Sequence, residues 1–149
     1  MVLQRVRRAS VTVDDVQVSA IGPGFLLLVG VEHDDSPADV SVAVDKIAGL
    51  RVFPDDAGKM NLSIGQVSGE ILVVSQFTLL GDVKRGRRPS FTDAADPAVA
   101  APLVARMVEE FSAIGIPTSS GVFGAAMAVD LVNEGPVTLV FSVQNAKLD

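Results

Sequence analysis

The chain has 149 residues, a net charge of −6, one histidine and no cysteine. A chain of this length fits one domain, which we take to span residues 1–149. Without cysteine there is no disulfide, no thiolate nucleophile and no sulfur-ligated metal, which suits a reducing compartment.

The one histidine, His33, lies in a polar segment just before a predicted helix. Zinc sites usually draw on several histidine or cysteine ligands, and Ser-His-Asp catalysis needs a histidine in the site. We therefore expect a solvated loop histidine, no metal and no cofactor. No apolar run approaches the roughly 20 residues that cross a bilayer, and the N-terminus lacks the apolar core of a signal peptide. This predicts a soluble cytoplasmic protein without a membrane partner.

The first third of the chain has the alternating, β-branched pattern of short strands. We predict strands at residues 2–6, 9–13 and 16–21, followed by a Gly-Pro-Gly turn. Residues 25–31 form a nearly continuous apolar run, which predicts a strand buried on both faces.

Two helices are predicted from their start residues and their apolar spacing. Ser36 followed by Pro37 and Asp39 begins the first, which runs to about residue 50. Asp96-Pro97 begins the second, which Pro102 delays by a turn and Gly115 ends. Its predicted inward face comprises Leu103, Met107, Phe111 and Ile114. Between the helices we predict a strand at 51–53, a polar turn at 54–58 and a buried strand at 71–77 that leads directly into Thr78.

Residues 127–132 and 137–141 alternate like two strands on either side of Gly135-Pro136. Taken alone, this segment favours a tight turn joining two strands, and the alternative is a special backbone conformation such as a cis peptide bond. The predicted fold class is α+β: a mostly antiparallel sheet or partly closed β-barrel with two flanking helices.

Several short segments, in this order and spacing, resemble the D-aminoacyl-tRNA deacylase family. The resemblance runs from about residue 3 to residue 143. It departs from the family at Glu134, where Asp is usual, at Ala126, where an acidic residue is usual, and in an extra tail at 144–149. The matching segments are Gln4-Arg5-Val6, Ala9-Ser10-Val11, Gly58-Lys59-Met60-Asn61, Ser75-Gln76-Phe77-Thr78-Leu79, Gly86-Arg87-Arg88-Pro89-Ser90-Phe91, Phe123-Gly124 and Asn133-Glu134-Gly135-Pro136-Val137-Thr138.

The resemblance implies a homodimer that hydrolyses the ester of D-aminoacyl-tRNA at the tRNA 3′ end and rejects L-aminoacyl-tRNA. The backbone N–H groups of Phe77 and Thr78 would stabilise the oxyanion. The Thr78 hydroxyl is disfavoured as a nucleophile, because the sequence offers no base beside it. Gly135 and Pro136 would exclude L-side chains from the other subunit's pocket, with Arg5 holding them in place. Such a steric filter cannot reject glycine, so glycyl-tRNA, including glycine mischarged on tRNA(Ala), should also be accepted.

Supporting roles at the predicted site fall to three further residues. Ser75 and Gln76 are expected to hold the strand end by side-chain-to-backbone hydrogen bonds. Met127, like Phe77, resembles residues that line the aminoacyl and adenosine pocket, although both are also ordinary core residues. The favoured mechanism is RNA-assisted: the vicinal ribose hydroxyl helps water attack the activated ester, and the protein supplies position rather than an acid or base.

Basic residues are concentrated in two places despite the acidic net charge. Lys84, Arg85, Arg87 and Arg88 fill four of five consecutive positions, and a second group comprises Arg5, Arg7 and Arg8. The loop at 84–88 is either a solvated basic loop or a patch that holds tRNA phosphates. Two other functions stay open: a module that edits L-aminoacyl-tRNA errors in trans, and a non-enzymatic RNA-binding or dimeric ligand-binding barrel.

Overall fold

The computed structural model describes residues 1–149 and contains ten strands, two helices and one 3₁₀ turn. No helix is long and apolar enough to span a membrane. The helices are α1 (Pro37–Gly49) and α2 (Pro97–Ala113), and the 3₁₀ turn is Phe77–Leu80. The strands are β1 (Val2–Val13), β2 (Val16–Ile21), β3 (Gly24–Val29), β4 (Phe53–Pro54), β5 (Met60–Leu62), β6 (Glu70–Ser75), β7 (Thr118–Ser120), β8 (Ala128–Val140), β9 (Val143–Gln144) and β10 (Lys147–Leu148).

The long strand β1 is the centre of the main sheet and pairs antiparallel with β2, β3 and β8. β6 pairs parallel with both β3 and β7, because α1 and α2 lie in the connections that return the chain to the same end of the sheet. Since β2 also packs against β6 and β7, the sheet is nearly closed as a barrel. The predicted α+β class with two flanking helices is confirmed, and the sheet is mixed, with two parallel pairings that the sequence did not indicate.

The sheet separates two apolar cores, so β3 and β6 are buried on both faces as their continuous apolar sequences indicate. Phe25 and Leu27 face the core beneath the two helices, whereas Leu26 faces the smaller core inside the curved sheet. On β6, Ile71 belongs to the helix side and Leu72 to the inner side. Burying such a side chain contributes about 1.5–3 kcal/mol, so these two strands are the most strongly fixed part of the sheet.

Helix α1 begins at the predicted residue and is tied to the C-terminal tail. The Ser36 N–H and hydroxyl both donate to the Asp39 carboxylate, at 2.8 and 2.5 Å. The tail forms the β9–β10 hairpin, and the Ala146 N–H donates to the same carboxylate at 2.7 Å. Burial alone would raise the pKa of Asp39, but these three hydrogen bonds outweigh it and lower the pKa below its ordinary value. Asp39 therefore joins the helix start to the end of the chain.

Two predictions about α2 are wrong. The helix begins at Pro97 and continues through Pro102 instead of being delayed by it. Pro102 has no N–H, so the Ala98 carbonyl lacks its usual hydrogen bond within the helix. Both residues are exposed, and water can therefore bond to this carbonyl. Ile114, predicted to face inward, is 55% exposed because the helix ends before it, and Gly115 follows with φ +84° as a helix end requires.

Several strand boundaries also differ from the predictions. The strands predicted at 2–6 and 9–13 are one strand, because β8 pairs along almost the whole of β1. The strands predicted at 127–132 and 137–141 are likewise one strand, β8, so Gly135-Pro136 does not form a tight turn between them. β3 ends at Val29 instead of residue 31, and the strand predicted at 51–53 is reduced to Phe53–Pro54. β6 ends at Ser75, and the chain enters the 3₁₀ turn at Phe77 instead of continuing as a strand.

Candidate active site

A cavity of about 510 Å³ opens between the ends of β3 and β6, the start of α2 and the segment before β8. Thirteen of its seventeen lining residues are hydrophobic, which suits a ligand with a substantial apolar or aromatic part. The predicted site residues that line it are Ser75, Gln76, Phe77 and Met127. The fold adds residues that carried no site role in the sequence analysis, among them Val74, Ala94, Pro97 and Val104, since only packing brings them to the cavity.

The 3₁₀ turn at the mouth of this cavity is fixed by main-chain contacts. The Gln76 N–H donates to the Val29 carbonyl at 2.7 Å, which carries the β3–β6 pairing one residue past the strand. A Cβ at Gly30 would lie 3.2 Å from the Gln76 oxygen, so glycine lets the turn pack closely on the chain after β3. The turn's first hydrogen bond runs from the Leu79 N–H to the Gln76 carbonyl at 3.1 Å. The turn itself therefore provides no acceptor for the N–H groups of Phe77 and Thr78.

Aromatic and methionine side chains form the wall beside this turn. The Phe77 side chain is 58% exposed and packs edge-on against Phe91, with ring centroids 5.1 Å apart and an interplanar angle of 72°. Met127 also lines the cavity, and a Cβ at Gly121 would come within 2.5 Å of its sulfur. Phe123 also lines the cavity. An exposed aromatic ring at a cavity mouth provides a surface on which an unpaired base can stack.

The Thr78 hydroxyl has a neutral amide as its partner. The Gln76 side-chain nitrogen donates to Thr78 Oγ1 at 2.5 Å, so the predicted side-chain-to-backbone bond from Gln76 is wrong, and the bond joins two side chains. An amide cannot take a proton from the hydroxyl, so this contact does not activate Thr78 as a nucleophile. His33 bonds the Thr92 carbonyl through Nε2 at 2.8 Å and is an exposed residue, as expected.

Gly135 and Pro136 lie outside this cavity, in an irregular part of β8. Val6 pairs with Asn133 and Gln4 with Thr138, so Arg5 alone faces four residues of β8. We call these four residues, 134–137, the bulge. The Gly135-Pro136 peptide bond is cis, and both residues are exposed.

Arg5 is 7% exposed and holds the base of the bulge. Its Nε donates to the Glu134 carbonyl at 3.3 Å and lies 3.5 Å from the Glu134 carboxylate, and its Nη1 donates to the Val52 carbonyl. The second basic residue on this face, Arg7, lies 3.8 Å from the same carboxylate. The glutamate that departs from the family pattern is therefore the ion-pair partner of both arginines.

Nothing in the chain itself requires glycine at position 135. Gly135 does not have a positive φ, and a Cβ added there would meet no atom closer than the Asn133 side-chain oxygen, at 3.9 Å. The open space at Gly135 contrasts with Gly30, where an added Cβ would lie 3.2 Å from the backbone oxygen of Gln76.

The two basic groups differ in how far they are neutralised. Arg5 and Arg7 contact Glu134, and Arg8 contacts Asp130. The loop residues Lys84, Arg85, Arg87 and Arg88 are all exposed and form no ion pair. Reciprocal backbone hydrogen bonds between Asp82 and Ser90, at 2.7 and 2.9 Å, close this loop just before Phe91. The free positive charge therefore lies next to the cavity wall.

The same fold occurs in solved structures. One, named "c-Myc DNA Unwinding Element Binding Protein", superposes with a TM-score of 0.86 at 41% identity and covers 93% of this chain and 94% of its own. Another, named "Structural Analysis of a probable eukaryotic D-amino acid tRNA deacylase", has a TM-score of 0.81 at 21% identity, covers 95% and 97% of the two chains, and shows the shared fold alone.

Sequence comparison defines the family. The family model described as "D-Tyr-tRNA(Tyr) deacylase" matches residues 2–142. The protein named D-aminoacyl-tRNA deacylase from Thermomicrobium roseum is 57% identical over 93% of this chain and 90% of its own. That of Chloroflexus aurantiacus is 54% identical over 99% and 92% of the two chains. The chain belongs to the D-Tyr-tRNA(Tyr) deacylase family, which confirms the resemblance seen in its motifs.

Proposed function

We propose that this protein hydrolyses the ester of D-aminoacyl-tRNA, releasing the D-amino acid and free tRNA, and rejects L-aminoacyl-tRNA. Relatives that are more than half identical over nearly the whole chain carry the name of this activity. The observation that carries the proposal is a combination of three features: an apolar cavity, a turn that provides no acceptor for its first two N–H groups, and an exposed Gly-Pro whose glycine the chain itself does not require. These are the parts of a site that holds an aminoacyl ester and senses the substituents at its Cα.

The N–H groups of Phe77 and Thr78 stabilise the oxyanion. When water attacks the ester carbonyl carbon, negative charge develops on the carbonyl oxygen, and two main-chain donors aimed at that oxygen lower the barrier. The carbon–oxygen bond to the terminal ribose then breaks, and the ribose oxygen takes the proton. Removing one such donor costs about 2.7–4 kcal/mol in other enzymes. The Gln76–Thr78 side-chain contact supports a main-chain role for Thr78 instead of a nucleophilic one.

The tRNA supplies the hydroxyl group that assists hydrolysis, in place of a general base from the protein's side chains. The ester is already activated, and the neighbouring ribose hydroxyl lies within reach of the attacked carbon. Holding ester, hydroxyl and water together replaces a separate general base with proximity, which is worth up to about 7–11 kcal/mol in well-oriented systems. Ser75 and Gln76 position the turn, while Phe77 and Met127 enclose the terminal adenosine and the aminoacyl group in the cavity.

Gly135 and Pro136 form the chiral filter, and they act on the cavity of a second subunit. The bulge lies outside its own chain's cavity, and its tip is exposed. Three large apolar side chains are also exposed, Val140 by 77%, Phe77 by 58% and Leu79 by 37%, which suits an interface in a homodimer. In the partner's cavity, a stiff main-chain corner admits hydrogen and excludes an L-side chain.

Glycine escapes this filter because it has no side chain to exclude. Glycyl-tRNA, including glycine mischarged on tRNA(Ala), is therefore a second substrate. The same reasoning predicts little dependence on which D-side chain is present. The deciding experiment compares D-Tyr, D-Asp, L-Tyr and Gly esters of tRNA under one set of conditions. Equal hydrolysis of the D- and L-tyrosyl forms would remove the filter, and hydrolysis of the L-form alone would favour trans-editing of L-aminoacyl errors.

Lys84, Arg85, Arg87 and Arg88 hold phosphates near the tRNA 3′ end. Their free charges border the cavity wall, and this attraction overcomes the acidic net charge of the chain. Affinity for tRNA should therefore fall steeply between about 50 and 200 mM salt. An affinity that barely changes over this range would contradict phosphate contacts by this loop. Because charged tRNA is present in the cytoplasm, we place the protein there.

Nucleic-acid binding without turnover is the second candidate function. The solved structure that is 41% identical carries the name of a DNA-binding protein. A binding module would retain uncharged tRNA or DNA as tightly as aminoacyl-tRNA and leave the ester intact. Measuring binding and ester hydrolysis on the same D-Tyr-tRNA sample separates the two candidates.

A further inference from the structure

The bulge is held at its base by contacts within the chain, whereas its tip, Gly135-Pro136, is exposed. The β1–β8 ladder stops at Val6–Asn133 and resumes at Gln4–Thr138. Four residues of β8 therefore cross a gap that β1 spans with Arg5 alone, and ladder hydrogen bonds cannot set their path. Val137, at the far end, is 5% exposed, whereas Gly135 and Pro136 are exposed. Contacts outside the ladder must fix how the tip projects.

Asn133 makes the contacts that span this gap. Its side-chain nitrogen donates to the Arg5 carbonyl at 3.0 Å and to the Val137 carbonyl at 3.2 Å. One amide group therefore joins the opposite strand to the end of the bulge, using both of its protons. Arg5 completes the connection in the other direction, since its Nε donates to the Glu134 carbonyl.

We infer that Asn133 is a positioning residue for stereochemical discrimination: its amide closes the base of the bulge and thereby sets the direction in which Gly135-Pro136 projects. The inference rests on the proposed function, in which these two residues meet the substrate. No shorter polar residue offers two protons at this reach, and Asp presents an acceptor where two carbonyl oxygens need donors. A shift of about 1 Å in a positioning contact can change a rate by about a hundredfold, so a loosened base should alter selectivity without removing any group that touches the substrate.

Two variants and one control test the inference. Asn133→Ala removes the amide, and Asn133→Asp keeps its shape without the protons, so the latter carries the test if the former does not fold. Gln144→Ala is the control, because Gln144 also makes a long-range side-chain amide bond, to Glu32 at 2.9 Å, in the C-terminal tail. Each protein is assayed for kcat and KM on D-Tyr-tRNA and L-Tyr-tRNA. Amide hydrogen exchange of residues 134–138 is measured on the protein without tRNA.

We expect the D-to-L ratio of kcat/KM to fall at least about tenfold in both Asn133 variants, through kcat more than KM, and to stay within about twofold in Gln144→Ala. Exchange across 134–138 should rise at least about tenfold in the Asn133 variants, while β3 and β6 keep their protection. If the wild type discriminates between the two esters, an unchanged D-to-L ratio of kcat/KM in the Asn133 variants overturns the inference. Unchanged amide exchange across residues 134–138 overturns it as well. If the wild type hydrolyses no D-ester, the proposed function fails, and the exchange result alone supports or overturns the closing role of Asn133.

Discussion

The 3₁₀ turn and the bulge are the two main-chain elements of the proposed site, and the chain constrains them in opposite ways. The start of the turn is anchored by its own chain: the Gln76 N–H donates to the Val29 carbonyl, and a Cβ at Gly30 would be crowded, at 3.2 Å from the Gln76 oxygen. The tip of the bulge is exposed, and no atom of the chain approaches the place where a Cβ on Gly135 would stand. Contacts within the folded chain therefore account for the position of the turn. They do not account for the glycine in the bulge, which we attribute to the substrate site that the tip enters.

The turn should show the largest effect when its N–H is removed. Phe77→Pro removes both the ring and the N–H, whereas the control Phe77→Ala removes the ring alone. Gln76 precedes it with an extended φ of −147°, which a following proline tolerates. We expect kcat for D-Tyr-tRNA to be about 10²–10³ lower in Phe77→Pro than in Phe77→Ala, because an oxyanion donor is lost. Equal single-turnover rates in the two variants would show that this N–H does not contact the reacting oxygen.

The bulge should show a large effect on activity without one on stability. Gly135→Ala adds a methyl group that the chain can accommodate, so the free energy of unfolding should stay within about 1 kcal/mol of the wild type. We expect kcat/KM for D-Tyr-tRNA to fall about a hundredfold, because the methyl enters the space reserved for the substrate. Gly65→Ala is the matched control, since Gly65 is exposed and has equally open surroundings. Full activity in Gly135→Ala would mean that the tip does not enter a crowded site.

Combining Phe77→Pro with Gly135→Ala chains tests whether the turn and the bulge that form one site come from different subunits. In a mixed dimer of Phe77→Pro and Gly135→Ala chains, one site combines an intact turn with an intact bulge only if the bulge acts on its partner. Co-expression of the two chains, without selection for mixed dimers, should then recover about a quarter of wild-type activity from two nearly inactive parents, because about half of the dimers are mixed and each of these has one good site of two. A mixture that stays inactive would place both elements of a site in one chain.

Thr78→Ala should have a small effect. The main-chain donor survives, and only the bond with the Gln76 amide is lost. We expect kcat to fall by less than about tenfold with D-Tyr-tRNA. Complete loss of activity in a folded variant would restore the nucleophile interpretation and remove the distinction between main-chain and side-chain chemistry at the turn.

Asp39→Asn should alter stability while leaving both regions untouched. The folded-state pKa of Asp39 lies below its ordinary value of 3.8, so its carboxylate stabilises the fold above that pH and loses this contribution as the pH falls through the folded-state pKa. We expect the variant to be less stable than the wild type by about 1–2 kcal/mol at pH 7. Urea unfolding should show this difference shrinking below about pH 4. The D-to-L ratio should not change, and a lower ratio would connect α1 and the tail to the filter.

Some features could be predicted because neighbouring residues decide them. The start of α1 follows from Ser36, Pro37 and Asp39, and the double burial of β3 follows from its continuous apolar sequence. Other boundaries could not be predicted, because distant partners set them. Arg7 and Arg8, between the strands predicted at 2–6 and 9–13, suggested a break, but pairing with β8 makes β1 continuous. Pro102 suggested a delayed helix, but its exposed position makes the lost hydrogen bond tolerable.

The same division applies to the site. The family resemblance was sufficient to select Ser75, Gln76, Phe77 and Met127, which the fold brings to one cavity. Motif order did not reveal that Phe77 and Thr78 lie in a helical turn, that Phe91 packs against Phe77, or that Asn133 spans the bulge. These features depend on contacts between residues far apart in the chain, such as the 128 positions that separate Asn133 from Arg5.

By itself, the sequence determined the fold class, the family and the identity of four of the seventeen residues that line the cavity, because local propensity and short motifs carry that information. Only the tertiary structure decided which of those groups face one another. It anchored the start of the turn on β3 and left the Gly-Pro tip outside its own cavity. It also neutralised the basic residues of β1 while leaving those of the 84–88 loop without ion pairs. The physical reason is that burial, strand register and charge pairing depend on partners that are brought together only when the chain folds.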